Sequence, residues 1–292
     1  MDSFIEYLKS SKNKAENTLV AYKRDIQAFE TFMKGRGRKS LTQCRESDAV
    51  AYILELNNAS KSKATINRKI SSLRAFYDYK ESMGEIDENP FSKIKSAKND
   101  KRQIEFLTVE EVEELLKYPD NSHKGIRDKA LLEFMYGTGA RVTEVVRLKF
   151  TDLNLRMNFV TLKDNEGESR IVPIGSYAHA ALTRYIDVAY AAIKGGERKD
   201  DDYVFINFRG DALTRQGIWK ILKEYGRKAG FEEKMTPQVL RNSFAVHILQ
   251  NGGDLKTLQE LMGFEDMSVG IAYLSVTNVR IKDVFNKTHP RA

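Results

Sequence analysis

The sequence predicts a mainly α-helical protein in two parts, with one small β hairpin in the second. Four segments before residue 90 repeat apolar residues at helical spacing. One stretch, residues 158–175, alternates as strands do on either side of a turn. A charged run poor in apolar residues, 92–103, separates the parts as a linker would. The length of 292 residues leaves room for two domains, and 41% apolar with 30% charged residues is ordinary for a soluble globular chain.

The first helices are expected at residues 3–9, 17–33, 46–56 and 63–83. The short polar connections "KGRGRKS" and "NNASKSK" fit a compact bundle. The fourth, "KATINRKISSLRAFYDYKESMG", sets Arg68, Lys69 and Arg74 among Ile66, Ile70, Leu73 and Phe76, an amphipathic helix with a basic polar face. A helical domain over 1–91 and a linker over 92–104 follow, leaving 105–292 for the second domain. That domain opens at "FLTVEEVEELLKY", where Thr108 followed by Glu110 and Glu111 marks a helix start. "NFVTLKD" and "SRIVPIG" flank the turn-like "NEGE". Later helices span 236–251, ended by Gly252 and Gly253, and 255–262, ended by Gly263.

Charge narrows the class of partner. Lys and Arg number 48 against 41 Asp and Glu, a net +7. Residues 1–104 hold 21 basic against 14 acidic residues, so the whole excess sits in the first third. Such asymmetry points to a polyanion, most simply nucleic acid; a solvated basic surface is the alternative. No apolar run approaches the roughly 20 residues of a membrane span. The opening "MDSFIEYLKSSKNKAENTL" lacks the basic-then-apolar pattern of a signal peptide, so a cytoplasmic location is expected. Cys44 is the only cysteine, which excludes an internal disulfide and a thiolate metal cluster.

Four segments of the second part stand out: "YGTGARVTEVVRL" (136–148), the hairpin holding Lys163, "TPQVLRNSFAVHILQNGGDLKTLQELMGF" (236–264) and "MSVGIAYLSV" (267–276). Together they resemble the tyrosine recombinase, or phage-integrase-like, family, most closely its bacterial Xer-type members that resolve chromosome dimers. "NTLVAYKRDIQAF", "INRKISSLRAFYDY", "ENPF" and the ending "HPRA" extend the resemblance over nearly the whole chain. It implies an N-terminal SAM-like core-binding bundle and a C-terminal mixed α/β catalytic domain.

The resemblance assigns Tyr273 as nucleophile, Arg141 and Arg241 as the clamp on the scissile phosphate, and Lys163 as the acid for the leaving 5′ oxygen. The chemistry is compatible. A phosphodiester under attack gathers charge on its non-bridging oxygens, and a guanidinium donates to them as a planar fork. Phenol ionises near pH 10 and needs adjacent cations to react. Each assignment has a plainer alternative: a buried ion pair for the arginines, a solvated hairpin lysine for Lys163, and packing with Ile271 and Leu274 for Tyr273. Glu144, one helical turn past Arg141, is placed to orient it.

Two positions depart from the family pattern. Gln238 stands three residues before Arg241 and Phe264 directly after Gly263, where histidine, or at the second place also tryptophan, is usual. Gln bonds a phosphate oxygen but takes no proton, and Phe only packs. His247, six residues past Arg241, should face away from it and be structural. Asn242 is open between the core and the DNA.

The resemblance implies double-stranded DNA as partner, a homotetramer or a heterotetramer with a related recombinase, and no cofactor, since a 3′-phosphotyrosine link stores the bond energy without ATP or metal. Arg68, Lys69 and Arg74 are the DNA-binding candidates of the first domain, and duplex DNA is expected between the two domains. A C-terminal helix with Val279, Ile281, Val284 and Phe285 on one face would dock on a neighbouring protomer or on its own domain. The alternatives are a degenerate homologue that binds DNA as a regulatory or accessory protein, and a type IB topoisomerase, against which the small size and the "HPRA" ending speak.

Overall fold

The computed structural model describes residues 1–10, 12, 16–96, 104–165 and 167–276. The chain divides into two compact units, Met1–Arg102 and Gln103–Ala292. The tail holding Val279, Ile281, Val284 and Phe285 lies outside the described residues. No described helix is long and apolar enough to cross a membrane.

The first unit is built from α1 (Asp2–Ser10), α2 (Glu16–Gly35), α3 (Glu46–Asn58) and α4 (Lys63–Ser82), each overlapping its expected span. The apolar stripes meet in an aromatic core of Phe4, Phe29, Phe76, Tyr77 and Phe91. Phe29 meets Phe91 edge to face at 5.4 Å, the arrangement ring quadrupoles favour. The "ENPF" motif closes this core: Asn89 donates to the Arg74 carbonyl at 3.0 Å and accepts from the Phe91 amide at 2.8 Å.

Three basic residues of α4, Arg68, Lys69 and Arg74, are engaged by partners within the first unit. Asp25 on α2 is buried, and an unpaired carboxylate there would be costly. Lys69 pairs with it at 3.2 Å, Ser72 donates to it at 2.9 Å, and Arg68 bonds it as well. Arg74 donates to the carbonyls of Phe91, at 3.2 Å, and Ile94. The basic face of α4 is thus engaged within its own unit, which the sequence of α4 alone does not disclose because the partners come from elsewhere. Ile94, assigned by composition to the linker, is tied to the first unit by the same arginine.

The second unit opens with α5 (Val109–Leu115), α6 (His123–Thr138) and α7 (Val142–Arg147). Thr108 caps α5 with the reciprocal Glu111 bond expected of a capping box. Three antiparallel strands follow, β1 (Leu153–Asn154), β2 (Phe159–Lys163) and β3 (Ser169–Pro173), in that order across the sheet. The expected hairpin is β2 and β3, in register from Phe159 opposite Pro173 to Lys163 opposite Ser169. β1 adds a third strand that pairs through two residues only. Val160, Leu162 and Val172 turn into the core.

Next come α8 (Ser176–Arg184), a wide π turn (Tyr185–Tyr190) and α9 (Ala191–Lys194), then α10 (Arg215–Lys228). Last of the described elements are α11 (Pro237–Gln250), α12 (Leu255–Met262) and α13 (Met267–Leu274). α6 lies at the centre, packed on α8 and α11. It ends at Gly139, φ +59°, where an added Cβ would come within 2.5 Å of the Phe244 ring. Only glycine suits that turn, which delivers the chain to Arg141.

Candidate active site

The site is organised by the C-terminal end of α12. The last carbonyls of a helix have no partner within it. Here three successive ones are taken by three arginines: Leu261 accepts from Arg170 Nε at 2.7 Å, Met262 from Arg241 Nη2 at 2.6 Å and Gly263 from Arg141 Nη2 at 2.7 Å. Gly263 closes the helix in the left-handed region at φ +62°, and a side chain there would press on Arg170 at 3.1 Å. Cations at a helix C-terminus are favoured by its dipole as well.

Arg141 stands at the start of α7. Glu144 accepts from its backbone amide at 2.6 Å and from its Nη1 at 3.0 Å. The same carboxylate receives a fork from Arg170, at 2.6 and 2.9 Å. Burial works against the Glu144 charge, but the Arg170 hydrogen bonds and the two guanidinium charges outweigh it and hold the carboxyl below its ordinary range. Arg141 keeps about a third of its side chain exposed and faces the cleft.

Arg241 arises from the middle of α11 and is 5% exposed. Its Nη1 donates to the Gly139 carbonyl, so the α6 turn and the α12 terminus hold one guanidinium between them. Burial, then Arg141, lowers its pKa to about 10, which leaves it charged at neutral pH. Its guanidinium lies 5.9 Å from the Phe264 ring, a cation–π contact.

Tyr273 on α13 is 5% exposed. Its ring stacks on Phe264 at 5.9 Å and 18° and joins the buried cluster of Phe244, Leu258 and Met262, while Ile271 and Leu274 are exposed. Its hydroxyl donates to Asn242 Oδ1 at 3.0 Å. Burial raises its pKa, and Arg241 and Arg141 oppose that rise.

Arg141, Arg241, Tyr273, Gln238 and Phe264 line one cleft of about 800 Å³. Lys163 is at the end of β2, its ammonium paired with Asp152, and it is not among the lining residues. His247 bonds Tyr136 at 2.8 Å and takes no part in lining the cleft. Gln238 donates to Asn242 at 2.8 Å. Two residues carry more of the site than their sequence settings suggest. Arg170 shares Glu144 with Arg141, and Asn242 is the hydrogen-bond partner of Tyr273. The alternation of β3 would have flagged Arg170 as a polar residue, but nothing in it points to Glu144. The paired guanidiniums, the phenol and the open cleft suit a phosphodiester.

The profile of the Phage integrase family matches residues 105–280, and that of the Phage integrase N-terminal SAM-like domain matches residues 1–84. The chain belongs to the phage integrase family of tyrosine recombinases. A protein of Caldanaerobacter subterraneus subsp. tengcongensis assigned to the tyrosine recombinases is 44% identical over 99% of this chain and 97% of its own. Tyrosine recombinase XerD of Listeria innocua is 38% identical over 100% of this chain and 99% of its own. Among solved structures, the XerH site-specific recombinase bound to a palindromic difH substrate superposes with a TM-score of 0.76. It is 20% identical, with 96% of this chain and 82% of that one covered. That last likeness is one of fold. This family member is Xer-like along its whole length.

Proposed function

We propose that this tyrosine recombinase is a site-specific DNA recombinase that cuts and rejoins duplex DNA through a 3′-phosphotyrosine intermediate. The observation that carries the reading is the convergence of Tyr273 and the guanidiniums of Arg141 and Arg241 in one cleft. The Tyr273 oxygen attacks the scissile phosphorus, the bond to the 5′ oxygen breaks, and that oxygen takes a proton from Lys163 as the phenol proton leaves to solvent. The arginines stabilise the charge gathered on the non-bridging oxygens. A 5′ hydroxyl from a second duplex then attacks the phosphotyrosine and gives its proton to Lys163, the bond from phosphorus to Tyr273 breaks, and the released phenolate takes a proton from solvent. Bond energy is conserved in the covalent link, so the exchange needs no ATP.

Lys163 reaches the leaving oxygen only after giving up Asp152. Exchange of two strands on each of two duplexes uses four such sites, so a tetramer on DNA is part of the proposal, either of this chain alone or with a related recombinase. A cytoplasmic site of action on chromosomal DNA accords with it. The relevant test incubates the protein with nicked suicide duplexes from candidate sites of its own genome. Denaturing electrophoresis should reveal a slow covalent protein–DNA band that Tyr273→Phe abolishes.

A second reading has its own support: the cleft is lined by no histidine among the described residues, and the Tyr273 hydroxyl is engaged by an amide. In that reading the chain is a regulatory DNA-binding homologue. It predicts firm DNA binding with no covalent band, and activity regained on restoring Gln238→His and Phe264→His.

A further inference from the structure

Asn242 follows Arg241 on α11 and is 8% exposed. Its amide makes three hydrogen bonds. Oδ1 accepts from the Tyr273 hydroxyl at 3.0 Å and from Gln238 Nε2 at 2.8 Å, and Nδ2 donates to the Glu105 carbonyl at 2.8 Å. The Glu105 carbonyl decides which way the amide points. Reversing it would set two oxygens face to face and turn one NH2 group on another. The Asn242 oxygen therefore faces Tyr273, and it accepts only from a protonated phenol. An amide oxygen is no base at neutral pH, so the bond keeps the proton on Tyr273 and disfavours its ionised form.

We propose that Asn242 is the positioning residue of Tyr273: it fixes the hydroxyl and holds it as a neutral phenol, so that attack begins only once this hydrogen bond is given up. Its consequence for cleavage rests on the recombinase reading, whereas the hydrogen bond itself acts in the protein without DNA. Gln238 belongs to the same device. It lines the cleft, and an entering phosphate oxygen offers its NH2 a charged acceptor in place of the Asn242 oxygen.

The groups that set the field on Tyr273 are named by the structure. Arg241 comes from α11 and Arg141 from the start of α7. The hairpin contributes Arg170, Asp164 and Glu168 to the cleft, and the turn before α13 contributes Glu265 and Asp266. Of these, the two cations that act on the phenol favour its ionisation. Asn242 opposes it by direct contact, which makes it separable by substitution.

The test places 3-fluorotyrosine at position 273 of the full chain and follows its 19F shift against pH, without DNA, in the parent, Asn242→Ala and Asn242→Asp. Removing the acceptor should make residue 273 ionise more readily, by about fivefold in its ionisation constant, the worth of one ordinary hydrogen bond. A carboxylate at 242 should make it ionise less readily. Midpoints that stay put, or that move in the same direction, overturn the proposal. If Asn242→Ala does not fold, Asn242→Asp decides alone, an unmoved or lowered midpoint being the contrary result. The same proteins are then given suicide duplexes across the pH range. Absence of a covalent band from the parent at every pH contradicts the recombinase reading while leaving the 19F result standing. With a band present, the rising limb of its rate should move to lower pH in Asn242→Ala.

Discussion

Glu144 is one carboxylate serving two arginines, and its loss should be felt by both. Glu144→Gln leaves Arg141 and Arg170 facing each other over a neutral amide, and we expect it to cost about 3 kcal/mol of stability, the scale of breaking a buried ion pair. Thermal melts at neutral pH measure this. Because the Glu144 carboxyl is held below its ordinary range, the unfolded chain binds its proton first as pH falls. The stabilisation is complete above the unfolded value of about 4.3 and is lost as pH falls through the folded value. The gap in melting temperature between wild type and Glu144→Gln should therefore close in acid. Arg241→Lys should lower covalent-complex formation by at least 10²-fold, since one ammonium cannot hold the carbonyls of Gly139 and Met262 and still offer a fork to phosphate. Single-turnover rates on suicide duplexes check it. Residues 141, 241 and 273 could be singled out in the sequence because the family resemblance assigns them. The roles of Arg170 and Asn242 could not be read there, because their partners lie 26 and 31 positions away and only the fold brings them together.

At the scale of elements, the clamp depends on two turns, one ending α6 and the other ending α12. Gly139→Ala puts a Cβ within 2.5 Å of Phe244 in a left-handed turn, and the overpacking should cost about 1–3 kcal/mol. A denaturant melt of Gly139→Ala, with Phe244→Leu added to open the space, should show partial recovery in the double variant. The helices with strong apolar periodicity and clear stops were legible in the sequence: α4 begins at Lys63 and α12 ends before Gly263, as expected. β1 was not, since two residues are too few to show alternation. Nor was the π turn at Tyr185–Tyr190, which keeps helical composition while widening the hydrogen-bond spacing.

The molecule as a whole concentrates its charge excess in its first third, yet several of those cations are spent internally. Arg68 and Lys69 answer Asp25, and Arg36 and Arg38 answer the buried Asp48. Composition reports the sum and not this pairing, so the charge excess was readable while the internal partners of these cations were not. If the remaining cations meet six to ten phosphates, DNA affinity should fall by about 10³ to 10⁵ between 50 and 200 mM salt. A titration of fluorescent duplex across that range measures the slope, and a flat one removes DNA as the polyanion. The central claim is that Tyr273 forms a bond to phosphorus, and it is tested most directly by mass spectrometry of the covalent complex. After nuclease and protease digestion, the account predicts a nucleotide on the peptide holding Tyr273. A nucleotide on any other residue, or none on a site that is bound, would contradict it.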